Sequence, residues 1–141
     1  MPAPFTTSRR VEFRDTDAAG IMHFASIMGL MEEAEHEFLR HIGQPLFMPV
    51  EGGKISWPRV SANCDFKSPA RFEDVVQIAV SVKRIGSRSV TYQFDLSCDG
   101  RPIASGTMTA ACCFVSKDRI EAVSVPEDVV GRLSDYVLPA E

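Results

Sequence analysis

No stretch of this chain approaches the roughly 20 consecutive apolar residues that a membrane helix needs. The N-terminus, MPAPFTTSRR, lacks the apolar core of a secretory signal, and the expectation is a cytoplasmic protein. There is no block of like charge, and the formal net charge is only -4. That makes nucleic acid a poor partner while leaving room for a local basic patch against a phosphate-bearing ligand. None of the cysteines, Cys64, Cys98, Cys112 and Cys113, forms a CxxC pair. They are expected as small buried hydrophobes in a reducing compartment. His23, His36 and His41 do not have the spacing of a metal site, so no metal is expected. No internal repeat or low-complexity segment divides residues 1–141, which read as a single domain. A chain of this length buries roughly 70% of its unfolded surface, enough for one core.

What the sequence does hold is two periodicities joined by a loop. Ser8 to Arg14 alternates, with Val11 and Phe13 on one face, and predicts a half-buried strand. Asp15-Thr16-Asp17-Ala18-Ala19-Gly20 is loop chemistry, because Asp and Thr side chains bond nearby backbone donors and Gly tolerates positive φ. From about Ala25 the period becomes helical. Ile27, Leu30, Met31, Ala34, Phe38 and Ile42 form one apolar stripe, while Glu32, Glu33, Glu35, Glu37 and Arg40 lie mostly off it. Met28 and Leu39 widen the apolar face, as in a helix covered on more than one side. Gly43 and Pro45 stop the helix.

Beyond it, Gln44–Lys54 holds two prolines and two glycines and reads as an irregular connection. The period is then 2. Strands are expected over Ile55–Phe66, Val75–Ile85, Ser89–Cys98 and Arg101–Ser116, with a short one within Arg119–Val125. Pro58 places the start of the first of these at an edge or bulge. Asp99-Gly100 is a two-residue hairpin turn. The last long strand is rich in small residues (Ala104, Ser105, Gly106, Ala110, Ala111), which lets a helix or a neighbouring subunit approach closely. Pro126, at the first helical position, with Glu127 and Asp128 behind it, starts a C-terminal helix. The class is α+β, a curved antiparallel sheet around one long helix.

Asp17 stands just ahead of the helix start, and a carboxylate beside a helix N-terminus is a workable catalytic arrangement. The segment Val-Glu-Phe-Arg-Asp-Thr-Asp-Ala-Ala-Gly-Ile-Met-His-Phe (11–24) also resembles the signature of the 4-hydroxybenzoyl-CoA thioesterase family. That pattern is D-x-D-x-x-G between a strand and a long helix. The resemblance runs on through the connection with Pro69, the strand hairpins and the closing Val-Pro-Glu-Asp at 125–128.

It implies a hotdog fold, with the helix at its centre, and hydrolysis of an acyl-CoA thioester to a carboxylic acid and CoA. It also implies a homodimer or homotetramer whose sheets join edge to edge, with active sites between subunits. Coenzyme A would be part of the substrate, and no separate cofactor is needed. On this resemblance Asp17 attacks the thioester carbonyl or activates a water. Asp15 orders the loop, and Gly20 gives the substrate room. The backbone N–H of Phe24, at the positive end of the helix, holds the oxyanion.

His23 does not match the catalytic His of a related branch, where that residue follows the glycine by four positions, and is left as a substrate-contact candidate. Arg84 and Arg88, around the Gly86 turn, are the candidates for the CoA phosphates, with Arg59, Lys67 and Arg71 as a second basic group. The acidic residues of the helix, including Glu35, are read as a solvated or inter-subunit face. Trp57, with Pro58, Phe47 and Met48, is a candidate wall of the acyl pocket, and aromatic and medium-chain acyl groups both stay open. Two rivals have other chemistry: a hotdog hydratase or dehydratase, which relies on a catalytic His, and a non-catalytic acyl-CoA-binding module.

Overall fold

A computed structural model describes residues 3–139. The first strand forms earlier than Ser8–Arg14, as β1 (Phe5–Arg10), and Phe13–Asp15 is a turn of 3-10 helix. The cause is local. The Asp15 carboxylate accepts the Glu12 amide at 2.9 Å, and Glu12 caps the Asp15 end in return. This turn buries Val11 but leaves Phe13 76% exposed, so the two do not share a face as expected.

The central helix α1 (Phe24–His41) starts one residue before Ala25, and the chain leaves it through Gly43 at φ 75°. Ile27, Leu30, Met31, Ala34 and Phe38 are buried, as the periodicity predicts, and Leu39 joins them. Glu35 is buried as well, which corrects its assignment to a solvated face.

The expected irregular connection Gln44–Lys54 contains a hairpin, β2 (Met48–Val50) against β3 (Gly53–Ser56). Two of the expected long strands are each broken. Ile55–Phe66 divides at Trp57-Pro58 into β3 and β4 (Arg59–Phe66), with a bulge between Arg59 and Ser61. Arg101–Ser116 divides at Cys112 into β7 (Arg101–Ala111) and β8 (Cys113–Val115). Between them, β5 (Val75–Ile85) and β6 (Ser89–Cys98) form over the expected residues. Val76, Ile78, Val80 and Val82 of β5, and Val90, Tyr92, Phe94, Leu96 and Cys98 of β6, all face the core. Asp99 and Gly100 take φ 50° and 80°, as a hairpin turn with both central residues left-handed requires. β9 (Ile120–Ala122) is shorter than the Arg119–Val125 window. Pro126 sits at the N-cap of α2 (Glu127–Leu133), one position before the expected one.

The strands form a five-stranded antiparallel sheet, in the order β1-β5-β6-β7-β4, and a four-stranded one, β2-β3-β8-β9. The two breaks lie side by side, because the Ala111 amide donates to the Pro58 carbonyl at 2.9 Å. One seam therefore joins both sheets. Val129 and Leu133 of α2 are buried, and Tyr136 meets Phe38 edge-on at 4.8 Å, which closes the C-terminal end of α1.

β4 is an outer strand of the large sheet. Its apolar set is only partly covered: Cys64 packs against the core, but Val60 is 65% and Phe66 52% exposed. An apolar edge of this kind is a ready template for strand pairing.

The small residues of β7 serve close packing. A Cβ built at Gly106 would lie 2.5 Å from the Asn63 carbonyl oxygen and 2.7 Å from Met31 Cε. Backbone on one side cannot yield as a flexible Met does on the other. Gly106→Ala is therefore expected to lower stability by about 1–3 kcal/mol, read as a lower midpoint in denaturant at unchanged slope.

Candidate functional site

The loop between the 3-10 turn and α1 is tied down at both of its ends. The His23 amide donates to the Asp15 carbonyl at 2.8 Å, and the Met22 amide to the Ala70 carbonyl at 2.7 Å. The tip closes on itself through Asp17 N–H to Ile21 O at 2.9 Å and Gly20 N–H to Asp17 O at 3.0 Å. Gly20 has φ 78°, which strains any side chain there. A Cβ at this position meets nothing within 4 Å, so the backbone requirement alone selects glycine. Asp15 does order the loop through backbone bonds, by its contact with Glu12.

Asp17 Oδ1 accepts the Ala19 amide at 2.8 Å, and Oδ2 faces His23 Nδ1 at 3.8 Å, beyond hydrogen-bond reach. The Asp17 side chain is about one-third exposed, and that of His23 45%. His23 is the N-cap of α1 but makes no side-chain capping bond. The first amides of the helix, Phe24 and Ala25, find no backbone acceptor among the described residues. They carry the positive end of an eighteen-residue helix.

These groups open on a cleft of about 420 Å³. Asp17, Ile21, Met22, Phe24 and Ile27 form one side, and Phe66 to Ala70 the other. Phe24 and Phe66 meet edge-on at 6.5 Å and are both largely exposed, as apolar lips. The Phe66–Ala70 wall is firmly held. The Lys67 amide donates to Ile103 O at 2.8 Å, and Arg101 Nη1 donates to Ser68 Oγ at 2.8 Å and to Pro69 O at 2.7 Å. Phe66, Ser68 and Ile27 were absent from the sequence candidates, since nothing local in the chain ties them to Asp17. Lys67 brings positive charge into the cleft. Chemically, the arrangement can set a carboxylate and unpaired amide donors around one polarised carbonyl.

Asp17, Gly20, His23 and Phe24 are thus brought together. Arg84, Arg88 and Trp57 are not part of this cleft within the chain. The Gly86 turn is fastened at the far end of β7, through Cys112 N–H to Arg88 O at 2.8 Å and Val125 N–H to Ser87 O at 2.9 Å. From Ile103 to Ala111 the strand covers about 25 Å at the usual rise. Trp57 lines a second, small cavity with Glu35, Leu39, Gln44, Leu46, Tyr92, Ala110 and Val129.

Glu35 is the residue that periodicity misplaced. Its Oε2 accepts from Arg59 Nη2, and Arg59 Nη1 also approaches Glu32 at 3.5 Å. His36 Nε2 lies 3.9 Å from Oε2. Burial pushes the Glu35 carboxyl up from its ordinary 4.5 to about 7, with Arg59 opposing and Glu32 adding to the rise. The same burial raises the Tyr92 hydroxyl beyond its usual range.

Among known proteins, the family model described as the thioesterase-like superfamily matches residues 11–133. A 1,4-dihydroxy-2-naphthoyl-CoA hydrolase of Synechococcus sp. (strain CC9902) is 31% identical, over 71% of this chain and 70% of that one. A solved gentisyl-coenzyme A thioesterase is 31% identical with a TM-score of 0.78, covering 92% of this chain and 99% of its own. A 1,4-dihydroxy-2-naphthoyl-CoA thioesterase from Synechocystis shares the fold at TM-score 0.82 and 20% identity, over 96% and 98% of the two chains. The chain belongs to the thioesterase-like superfamily and has its hotdog fold.

The raised Glu35 carboxyl gives a signed expectation. Between pH 4.5 and about 7 the folded chain holds a proton that the unfolded chain releases. Stability from this group is therefore full below pH 4.5 and falls as pH rises to about 7, by at most about 3 kcal/mol. Glu35→Gln removes that slope. Parallel stability–pH curves for the two proteins would contradict the assignment. Arg59, Glu32, His36 and Tyr92 are the other charged or titratable groups packed on Glu35 and stay in place in the variant.

Proposed function

We propose that this chain hydrolyses an acyl-CoA thioester whose acyl group is a hydroxylated aromatic acid. The observation that carries the reading is the pairing of Asp17 with the start of α1. Asp17 Oδ2 has no hydrogen-bond partner closer than the 3.8 Å approach of His23, and Asp17 lines the same apolar cleft as Phe24, whose amide is open. The acyl class is drawn from relatives named for naphthoyl and gentisyl thioesters.

Asp17 attacks the thioester carbonyl, or deprotonates a water that does so. Either way the carbonyl oxygen gains negative charge. The Phe24 N–H, with the dipole of α1 behind it, stabilises that charge, and one such donor is typically worth about 3 kcal/mol of barrier. Collapse of the intermediate expels CoA as its thiolate; it leaves the free acid where water attacked, or an acyl–Asp17 anhydride that a water then hydrolyses to the acid and the free Asp17 carboxylate. His23, half-exposed beside Asp17, contacts the substrate at the mouth, and Gly20 leaves space for the thioester.

The working unit is a homodimer, formed by pairing β4 with the β4 of a second copy about a two-fold axis. The support is the exposed apolar edge, with Val60 and Phe66 uncovered in the single chain. Such antiparallel pairing sets the Arg59 end of one β4 against the Phe66 end of the other. The turn carrying Arg84 and Arg88 lies at the Arg59 end of the sheet, since Arg59 pairs with Ala110 and Ser89 with Ala111. In the dimer it comes to the end of the sheet where the neighbour's cleft opens, as binding of CoA phosphates requires. Lys67 adds charge from within the cleft itself.

Release of free thiol across aromatic and aliphatic acyl-CoAs tests the activity. Asp17→Asn is expected to lose at least about 100-fold in turnover, and equal activity in the variant would remove Asp17 from the mechanism. Acyl-CoA binding without thiol release, or hydration of an enoyl-CoA, would replace the thioesterase reading altogether.

A further inference from the structure

Glu35 has a feature that ion pairing with Arg59 does not account for. The residue is 3% exposed, and its Oε1 is fully buried with no hydrogen-bond partner among the described residues. An unpaired buried acceptor is destabilising unless something donates to it. Glu35 lines the second cavity, which holds about 10 Å³, room for a single hydroxyl-sized group. The surrounding side chains are mainly apolar: Leu39, Leu46, Trp57, Ala110 and Val129. Gln44 and Tyr92 are the other buried side chains in the lining that carry polar groups; no hydrogen bond joins the Tyr92 hydroxyl to Glu35, and Gln44 already has partners. Its Nε2 donates to Pro45 O at 3.1 Å and its Oε1 accepts from Arg132 at 2.8 Å. Tyr92 supplies an aromatic wall. The outer side is made by Trp57 and Leu46, both only half-buried. The cavity therefore combines flat apolar surface with one open acceptor at its end.

Its position in the fold says whose substrate it meets. Glu35 lies eleven positions after Phe24 on α1, about 16 Å along the axis. That exceeds the reach of a one- or two-ring aryl group whose carbonyl sits at the Phe24 amide. The cavity is, however, at the Arg59 end of β4, which antiparallel pairing of two copies sets beside the Phe66 lip of the opposite cleft.

We infer that Glu35, clamped by Arg59, is the residue that selects a hydroxyl on the acyl group, and that it serves the Asp17 site of the neighbouring subunit. The open Oε1 accepts a hydrogen bond from the substrate hydroxyl, the one group that enters the cavity, and the ring stays outside against Trp57 and Leu46. This rests on the thioesterase reading above and adds to it a specificity residue supplied in trans.

The test compares kcat/KM for benzoyl-CoA, its hydroxybenzoyl isomers, the matching methoxybenzoyl compounds and 1,4-dihydroxy-2-naphthoyl-CoA. The intact protein is expected to prefer at least one hydroxylated substrate over its unsubstituted parent by about 10- to 100-fold. Its methoxy analogue, which has no proton to donate and overfills the cavity, is expected to lose that advantage. Glu35→Gln keeps the shape and should lower the hydroxyl-to-parent ratio about tenfold. A ratio that holds while all rates fall together would make Glu35 merely structural and overturn the inference. Equal use of hydroxy and methoxy substrates by the intact protein would overturn it too, whether or not the variant folds. Co-expressing Asp17→Asn chains with Glu35→Gln chains distinguishes the placement. A site in trans yields one intact site per mixed dimer and restores the ratio, whereas no restoration rejects the contribution from the neighbour. Failure of every acyl-CoA to release thiol is a different result, because it removes the thioesterase reading itself and the inference with it.

Discussion

Helix α1 lies so close to the sheet that a single methyl at Gly106 would overlap Met31 Cε and the Asn63 carbonyl. That contact sets the rest of the molecule. It holds the helix against β7, and Phe24 at the N-terminal end of α1 meets Phe66 at the end of β4. Dispersion and apolar burial are summed over Ile27, Leu30, Met31, Ala34 and Phe38, and at Met31 they depend on the absence of a side chain on the strand opposite. A bulkier central strand would lift the helix and separate its first turn from the wall that completes the cleft.

The cleft combines this rigid packing with a loop that is short of satisfied groups. Backbone bonds from Met22 to Ala70 and from His23 to Asp15 hold the loop at both ends. What they leave over is the useful part: one oxygen of Asp17 and the first amides of α1. A Ser or Asp at the N-cap would have occupied those donors, while His23 makes no capping bond and leaves them free. The helix forgoes a cap worth about 1 kcal/mol and keeps an electropositive end aimed at the cleft.

About three turns further along the same helix the charges are handled differently. Glu35 is withdrawn beneath Trp57 and tied to Arg59, itself at the first position of the outer strand. Pro58 and the bulge after Arg59 turn that strand start toward the helix, which lets a guanidinium at the sheet edge reach a buried carboxylate. Helix α1 thus carries complementary chemistry, a reacting N-terminal end and a polar clasp at Glu35, separated by more than an aryl group can span.

Much of this was legible in the chain itself. The alternation in Val75–Ile85 and Ser89–Cys98, the Asp99-Gly100 turn, the stripe of α1 and the acidic loop ahead of it are short-range patterns, dictated by side-chain period and by backbone preference at glycine. The loop residues Asp17, Gly20 and Phe24 could be picked out because they lie within eight positions of one another. The errors share a cause. Val60 and Phe66 alternate correctly but are left uncovered, Phe66 as a lip of the cleft beside Phe24, because burial depends on which strand ends up at the edge. Phe13 turns outward because Asp15 closes a 3-10 turn that begins at Phe13. Glu35 reads as solvated on a helical wheel, yet Arg59, twenty-four residues away, makes its burial tolerable. Period and turn chemistry act between neighbours, and so the sequence by itself determined the elements and the reacting loop. Which face is covered, which charge finds a counter-charge and which wall completes the cleft are set by contacts between distant segments, and those only the tertiary structure decided.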